Sequence, residues 1–129
     1  MILYLTPEQV LFIHNLVVQK TGGSHGVRDL SMLLSALGRP QASFDGRDLY
    51  EDLFLKAAAL LDSLIRKHPF VDGNKRVAIV STALFLQKNG YSLSVDNEEL
   101  VQFALDCAQS KNSLKEITTW IERNTEPIF

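Results

Sequence analysis

The chain has 129 residues, with 13 Lys plus Arg against 15 Asp plus Glu and a formal net charge of −2. At 46% hydrophobic and 22% charged residues, its composition is not that of a disordered, fibrous or membrane-spanning chain, and its length suits a single domain, residues 1–129, with an ordinary hydrophobic core. Cys107 is alone, which excludes an internal disulfide and any cysteine-built zinc or redox motif. No basic region precedes the first apolar stretch and no run is long enough to cross a bilayer, so a cytoplasmic protein without membrane contact is expected.

Ile2–Leu5 carries a thin strand signal. Thr6 and Gln9 then have the spacing of a capping box, with Pro7 at the first helical position, where a missing N–H is harmless. Leu30, Leu33, Leu34 and Leu37 form a helical stripe that Gly38 and Pro40 close. The stretch from Arg39 to Arg47 reads as strand with a turn at Asp45-Gly46, which predicts a small hairpin. Asp48 with Glu51 has the capping-box form ahead of a long helix over about residues 49–67, striped by Leu53, Ala57, Leu60, Leu61 and Leu64. From Lys75 to Asn89, Val77, Val80, Ala83, Leu84, Phe85 and Leu86 are apolar on most faces, which predicts that this helix is the central one, stopped by Gly90. Tyr91–Val95 is a third strand signal. Asp96 with Glu99 and Ser113 with Glu116 open shorter helices at about 97–110 and 114–124. The fold class is therefore all-α: a helical bundle with a central helix–loop–helix and at most one small β-hairpin.

The chemistry concentrates in His68-Pro69-Phe70-Val71-Asp72-Gly73-Asn74-Lys75-Arg76. Pro69 disfavours helix at His68 and so ends the helix before it. Gly73 permits a positive φ or a close backbone approach. The next helix starts at about Asn74, and its first N–H groups, unsatisfied within the helix, make an anion site that Lys75 and Arg76 reinforce. Residues 66–76 hold four basic side chains and one acid, a local charge of +3 that leaves −5 on the rest of the chain. A short positive focus on an acidic background suits a small anionic ligand better than a nucleic-acid track, and no aromatic interleaves with it as a stacking platform would require. His68 can take a proton from a hydroxyl. Asp72 can cap the following helix or hold Mg²⁺, which binds through one or two carboxylates plus substrate phosphates. Base, metal carboxylate and anion cradle together describe phosphoryl or nucleotidyl transfer, although the P-loop spacing is absent.

This run resembles the Fic-domain signature H-P-F-x-x-G-N-G-R-x-x-R at His68, Pro69, Phe70, Gly73, Asn74 and Arg76. With Asp72, Lys75 and Val77-Ala78, and with Gly22-Gly23, Gly26-Val27-Arg28-Asp29 and Arg39-Pro40-Gln41 upstream, it is most similar to the death-on-curing (Doc) toxins of that superfamily, over roughly residues 4–110. Lys75 stands where the second motif glycine would be, and Ile79 where the second arginine would be. In the superfamily that arginine orients the nucleotide for adenylyl transfer. Its absence implies the reversed orientation and a protein kinase that transfers the γ-phosphate of ATP to a Thr or Ser, with elongation factor Tu as the family's precedent. By position, His68 is the general base, assisted by Arg76. Asp72 is the Mg²⁺ ligand, Gly73, Asn74, Lys75 and Arg76 hold phosphate oxygens, and Phe70 anchors the loop. Arg39 and Arg47 flank a segment that resembles the flap that docks the target. The resemblance further implies a Fic-like bundle and a cognate antitoxin whose flexible C-terminal segment folds into a groove, with no direct nucleic-acid partner. Adenylyl transfer, or a non-catalytic antitoxin-binding module, are the alternatives.

Elsewhere the residues point to packing. His14 follows an apolar run, His25 lies in a glycine-flanked loop, Trp120 is spaced to pack beside Ile117 and Ile121, and Cys107 is a small buried hydrophobe. Arg28 reads as a surface residue. Arg66 and Lys67 suit the C-terminal end of their own helix.

Overall fold

Capping side chains set most of the helix boundaries. In the computed structural model, which describes residues 1–129, α1 (Pro7–Thr21) opens on the full Thr6/Gln9 capping box. Helix α2 (Leu30–Gly38) opens on Asp29 and runs into a 3₁₀ turn at Arg39–Gln41. Helix α3 (Leu53–Lys67) starts four residues later than the sequence suggests, because Asp52 is its cap. Asp48 is instead a strand residue whose carboxylate accepts from Lys56 Nζ at 3.0 Å. Helix α4 spans Asn74–Lys88, α5 Asn97–Ala108 and α6 Leu114–Arg123. Ser113 and Glu116 form a complete box ahead of α6. Asp96 accepts from the Glu99 N–H, but Glu99 does not return the bond.

The expected hairpin is present: β1 (Ser43–Phe44) pairs antiparallel with β2 (Arg47–Asp48). Asp45 at φ 54° and Gly46 at φ 76° supply the two left-handed turn residues that match the twist of the strands. A second ladder was not expected. Strand β3 (Tyr91–Leu93) pairs antiparallel with β4 (Thr125–Pro127), a chain-terminal segment with no alternating pattern to announce it. Ile2–Leu5 is not a strand. The side-chain amide of Asn89 takes a strand's place, accepting from Leu3 N and donating to Leu3 O, both at 2.9 Å.

The central helix is α3, not α4. Every residue from Lys56 to Ile65 is buried, and α3 packs against α2, α4, α5 and α6. Ala57, Ala58 and Ala59 are fully buried, and these small side chains admit neighbours close to the helix. Helix α4 has the apolar composition of a central helix, yet it leaves Val80 exposed and Ile79 half-buried. Those two side chains line a cavity rather than the core. Phe103 of α5 stacks on Trp120 of α6 with centroids 3.8 Å apart, so Trp120 is a packing residue as expected. Cys107 is buried, and loss of water around the thiol pushes its pKa up to about 11. No helix is long and apolar enough to cross a membrane.

Candidate active site

The site forms where α3 stops and α4 begins. His68 closes α3 in the left-handed region, φ 45° and ψ 58°. For a residue with a Cβ this conformation costs roughly 1–2 kcal/mol, so other contacts must hold it. Its ring is exposed and faces a cavity of about 710 Å³. The chain then dives inward: Pro69 and Phe70 are buried, and Phe70 is 1% exposed. Asn74 holds this inward turn from both sides, accepting from Phe70 N at 3.0 Å and donating to Phe70 O at 2.9 Å. The carboxamide of Asn74 is thus engaged by the loop through its oxygen and one of its two N–H groups. Its second side-chain N–H and its backbone N–H have no partner within the loop.

Gly73 is the N-cap of α4 at φ 80°. A Cβ there would be strained in any space and would press on Val17 Cγ1 at 3.3 Å. The first helical bond of α4 runs from Val77 N to Gly73 O, so the N–H groups of Asn74, Lys75 and Arg76 precede it and have no partner within the helix. Lys75 and Arg76 are exposed and pair with no acid within 4.0 Å. Asp72 is held on one side only: its Oδ2 accepts from Ser24 N at 3.0 Å, and its Oδ1 has no partner in the protein. No cluster of three His, Cys, Asp or Glu side chains surrounds it. Any cation there would take most of its ligands from water and substrate, as Mg²⁺ does.

Two residues outside the signature shape the loop. Buried His14, on α1, stacks on Phe70 with centroids 4.0 Å apart and donates from Nε2 to the Asp72 carbonyl at 3.0 Å. A carbonyl can only accept, so neutral His14 carries its proton on Nε2. Burial holds its pKa below the ordinary 6.5, with the Asp72 carbonyl opposing that shift. Arg28 donates from Nε to His68 O at 2.6 Å and from Nη2 to Lys67 O at 2.8 Å. The segment around it pairs with the loop as a short strand would. Val27 bridges Phe70, the N–H groups of Arg28 and Asp29 both reach Pro69 O, and Val71 N reaches Gly26 O. Sequence reasoning placed neither residue at the site. Their contacts lie 58 and 40 residues away along the chain, and no local spacing encodes them.

The cavity joins these groups. Its polar mouth carries His68, Asp72, Lys75, Arg76 and Lys20 of α1, and apolar side chains of α1, α4 and α5 form its wall. Lys20, at the end of an amphipathic helix, gave no signal. Ile79 lines the wall where the resemblance would require an arginine for adenylyl transfer. Arg47 lies exposed on β2, within the expected flap. Arg39 is not part of the flap. It sits in the 3₁₀ turn ahead of it, and its guanidinium is committed inward to Asp62 at 2.8 Å, Ser63 at 2.9 Å and Tyr50 at 2.8 Å. Its pKa is raised: Asp62 and Tyr50 overcome the opposing effect of burial.

Residues 4–86, which include the whole loop, match the Fic/DOC family. Over 93 residues the chain is 46% identical to Toxin Doc of Mycolicibacterium smegmatis, an alignment covering 72% of this chain and 69% of that protein. Over 123 residues it is 32% identical to Protein kinase doc of Escherichia phage P1, covering 93% of this chain and 94% of the phage protein. The family match spans most of the chain and takes in the whole loop, and the chain belongs to the Fic/DOC family.

Proposed function

We propose that this chain is a Doc-type toxin: a protein kinase that transfers the γ-phosphoryl group of ATP to a Ser or Thr hydroxyl of a translation factor, elongation factor Tu by family precedent, and so arrests translation. The observation that carries the reading is the convergence of His68, the Asp72 carboxylate, three unpaired cations (Lys20, Lys75 and Arg76) and the open N-terminus of α4 on one cavity of about 710 Å³. That volume lies in the range of small-molecule sites. The names of the two relatives point the same way. The reading also implies a cytoplasmic protein and an antitoxin partner whose segment folds into the apolar wall of the groove.

The residues fit a magnesium-bound nucleotide. Asp72 Oδ1 is free, the cations are uncompensated, and the helix N–H groups are unpaired. Bound Mg²⁺ would neutralise charge on the phosphates. His68 takes the proton of the acceptor hydroxyl as that oxygen bonds to the γ-phosphorus and the bond to the bridging oxygen breaks, releasing ADP. Lys75 and Arg76, with the backbone N–H groups beside them, hold the phosphate oxygens where charge develops. The hydrophobic Ile79 offers no second fork for a terminal phosphate, which disfavours the orientation needed for AMP transfer.

The test supplies purified protein with Mg²⁺, elongation factor Tu and ATP labelled at either the γ- or the α-phosphate. Label from the γ-position should reach the acceptor, and His68→Ala should lose about 10²–10⁴ of the rate, the usual contribution of a general base. Transfer of α-label would replace the kinase reading by adenylyl transfer. A His68→Ala variant that still arrests growth would leave a non-catalytic binding module.

A further inference from the structure

Arg28 supplies what the signature residues cannot supply for themselves. The last carbonyls of α3 have no helical partner, and the chain must leave the helix at His68 in a conformation that an L-residue seldom adopts. Asn74 controls Phe70, and His14 controls Asp72, but neither touches the backbone of His68. That backbone is held by Arg28, whose Nε and Nη2 reach the carbonyls of His68 and Lys67 at 2.6 and 2.8 Å. Arg28 pairs with no acid, so these two carbonyls are what its side chain engages. Its own N–H, with that of Asp29, fixes Pro69 O at 2.7 and 3.0 Å, so the fork cannot slide along the loop.

We propose that Arg28 is a positioning residue for His68: its guanidinium fork locks the left-handed turn that aims the imidazole into the cavity. Its catalytic consequence rests on the kinase reading above, whereas its effect on the backbone does not. The fork matters more than the charge. A lysine would keep a cation at the C-terminal end of α3, where the helix dipole favours it, but a point charge cannot hold two carbonyls in a fixed plane.

The experiment compares wild type with Arg28→Lys and Arg28→Ala. Backbone chemical shifts of His68 report its φ whether or not the protein is a kinase. Both variants should move these shifts away from left-handed values, and His68 shifts that stay at their wild-type values would overturn the proposal. In the γ-label assay kcat should fall about 10–100-fold, as a misplaced catalytic group does, while KM for ATP changes less than about threefold because the phosphate cradle is untouched. Added guanidinium should restore part of the Arg28→Ala rate, and sodium chloride of equal ionic strength should not. A purely structural arginine would lower Tm and leave kcat per folded molecule unchanged, which also overturns the proposal. Wild-type protein that transfers no label, together with variants whose His68 shifts move, would sink the kinase reading and leave Arg28 as the lock on the turn.

Discussion

Arg39, Lys56 and Arg66 each close onto an acid of the protein, whereas Lys75 and Arg76 at the start of α4 close onto none. Lys56 and Arg66 lie on α3 and Lys75 and Arg76 on α4, the two helices of one helix–loop–helix, while Arg39 reaches α3 from the 3₁₀ turn, so the difference is one of partners. Asp62 bridges Arg39 and Arg66, and Lys56, 1% exposed, reaches both Asp48 and Pro40 O. These contacts tie the base of the hairpin and the turn before it to α3. Burial alone would lower the pKa of Lys56, yet Asp48 raises it, so the amine stays charged inside the fold. Three cations packed around α3 are engaged in building the molecule, whereas the pair at the N-terminus of α4 has no acidic partner in the chain. Removing a charge should therefore act on stability in one region and on ligand binding in the other.

The largest effect is expected at Asp62. Asp62→Ala removes the carboxylate that two arginines share; both are partly exposed and Arg39 keeps Ser63 and Tyr50, so the cost is about 2 kcal/mol, below that of a fully buried pair. For a chain of this size that corresponds to a fall in Tm of roughly 7 °C. Nucleotide affinity of the folded fraction should stay within about twofold, measured by calorimetry well below the melting range. An affinity loss as large as the stability loss would erase the distinction between the two regions.

Arg76→Ala is the reciprocal case. The residue is exposed and unpaired, so its removal should change stability by no more than about 0.5 kcal/mol. A hydrogen bond between charged partners contributes about 2 kcal/mol, and its loss weakens nucleotide binding by roughly thirtyfold. Titration of Mg²⁺-ATP into the variant, alongside a thermal scan, checks both halves. A destabilised Arg76→Ala with unaltered affinity would move Arg76 into the structural group.

Much of this arrangement is legible in the sequence because it is local. The loop is a continuous run, its helix starts carry their own caps, and Asp45-Gly46 encodes its turn within two residues. What escapes is long-range. Strand β4 is specified by β3, the position of α3 at the centre depends on neighbours that its own pattern does not name, and Arg39 is drawn inward by an acid on another element. The division of labour within the loop is hidden for the same reason. Asn74 reads as a phosphate holder alone until its carboxamide is seen gripping both backbone groups of Phe70, and His14 looks like core until the Asp72 carbonyl is seen beyond its ring.

His14 tests where the boundary between the two groups runs, since it lies inside the site but closes onto the protein. Its effect should be the smallest of the three. His14→Gln loses the stack on Phe70 and a well-aimed hydrogen bond, about 1 kcal/mol at neutral pH. The pH dependence carries the sharper information. Burial holds the folded pKa of His14 below 6.5, so between those two values the unfolded chain binds a proton that the folded chain refuses. Stability contributed by neutral His14 is complete above pH 6.5 and is lost as the pH falls through that window. Wild type should therefore lose Tm faster than His14→Gln on acidification from neutrality, and the gap between them should narrow. A constant gap would mean that His14 does not titrate against the loop. The ring would then hold the loop through its stack and hydrogen bond alone, with no proton uptake tied to unfolding in that window.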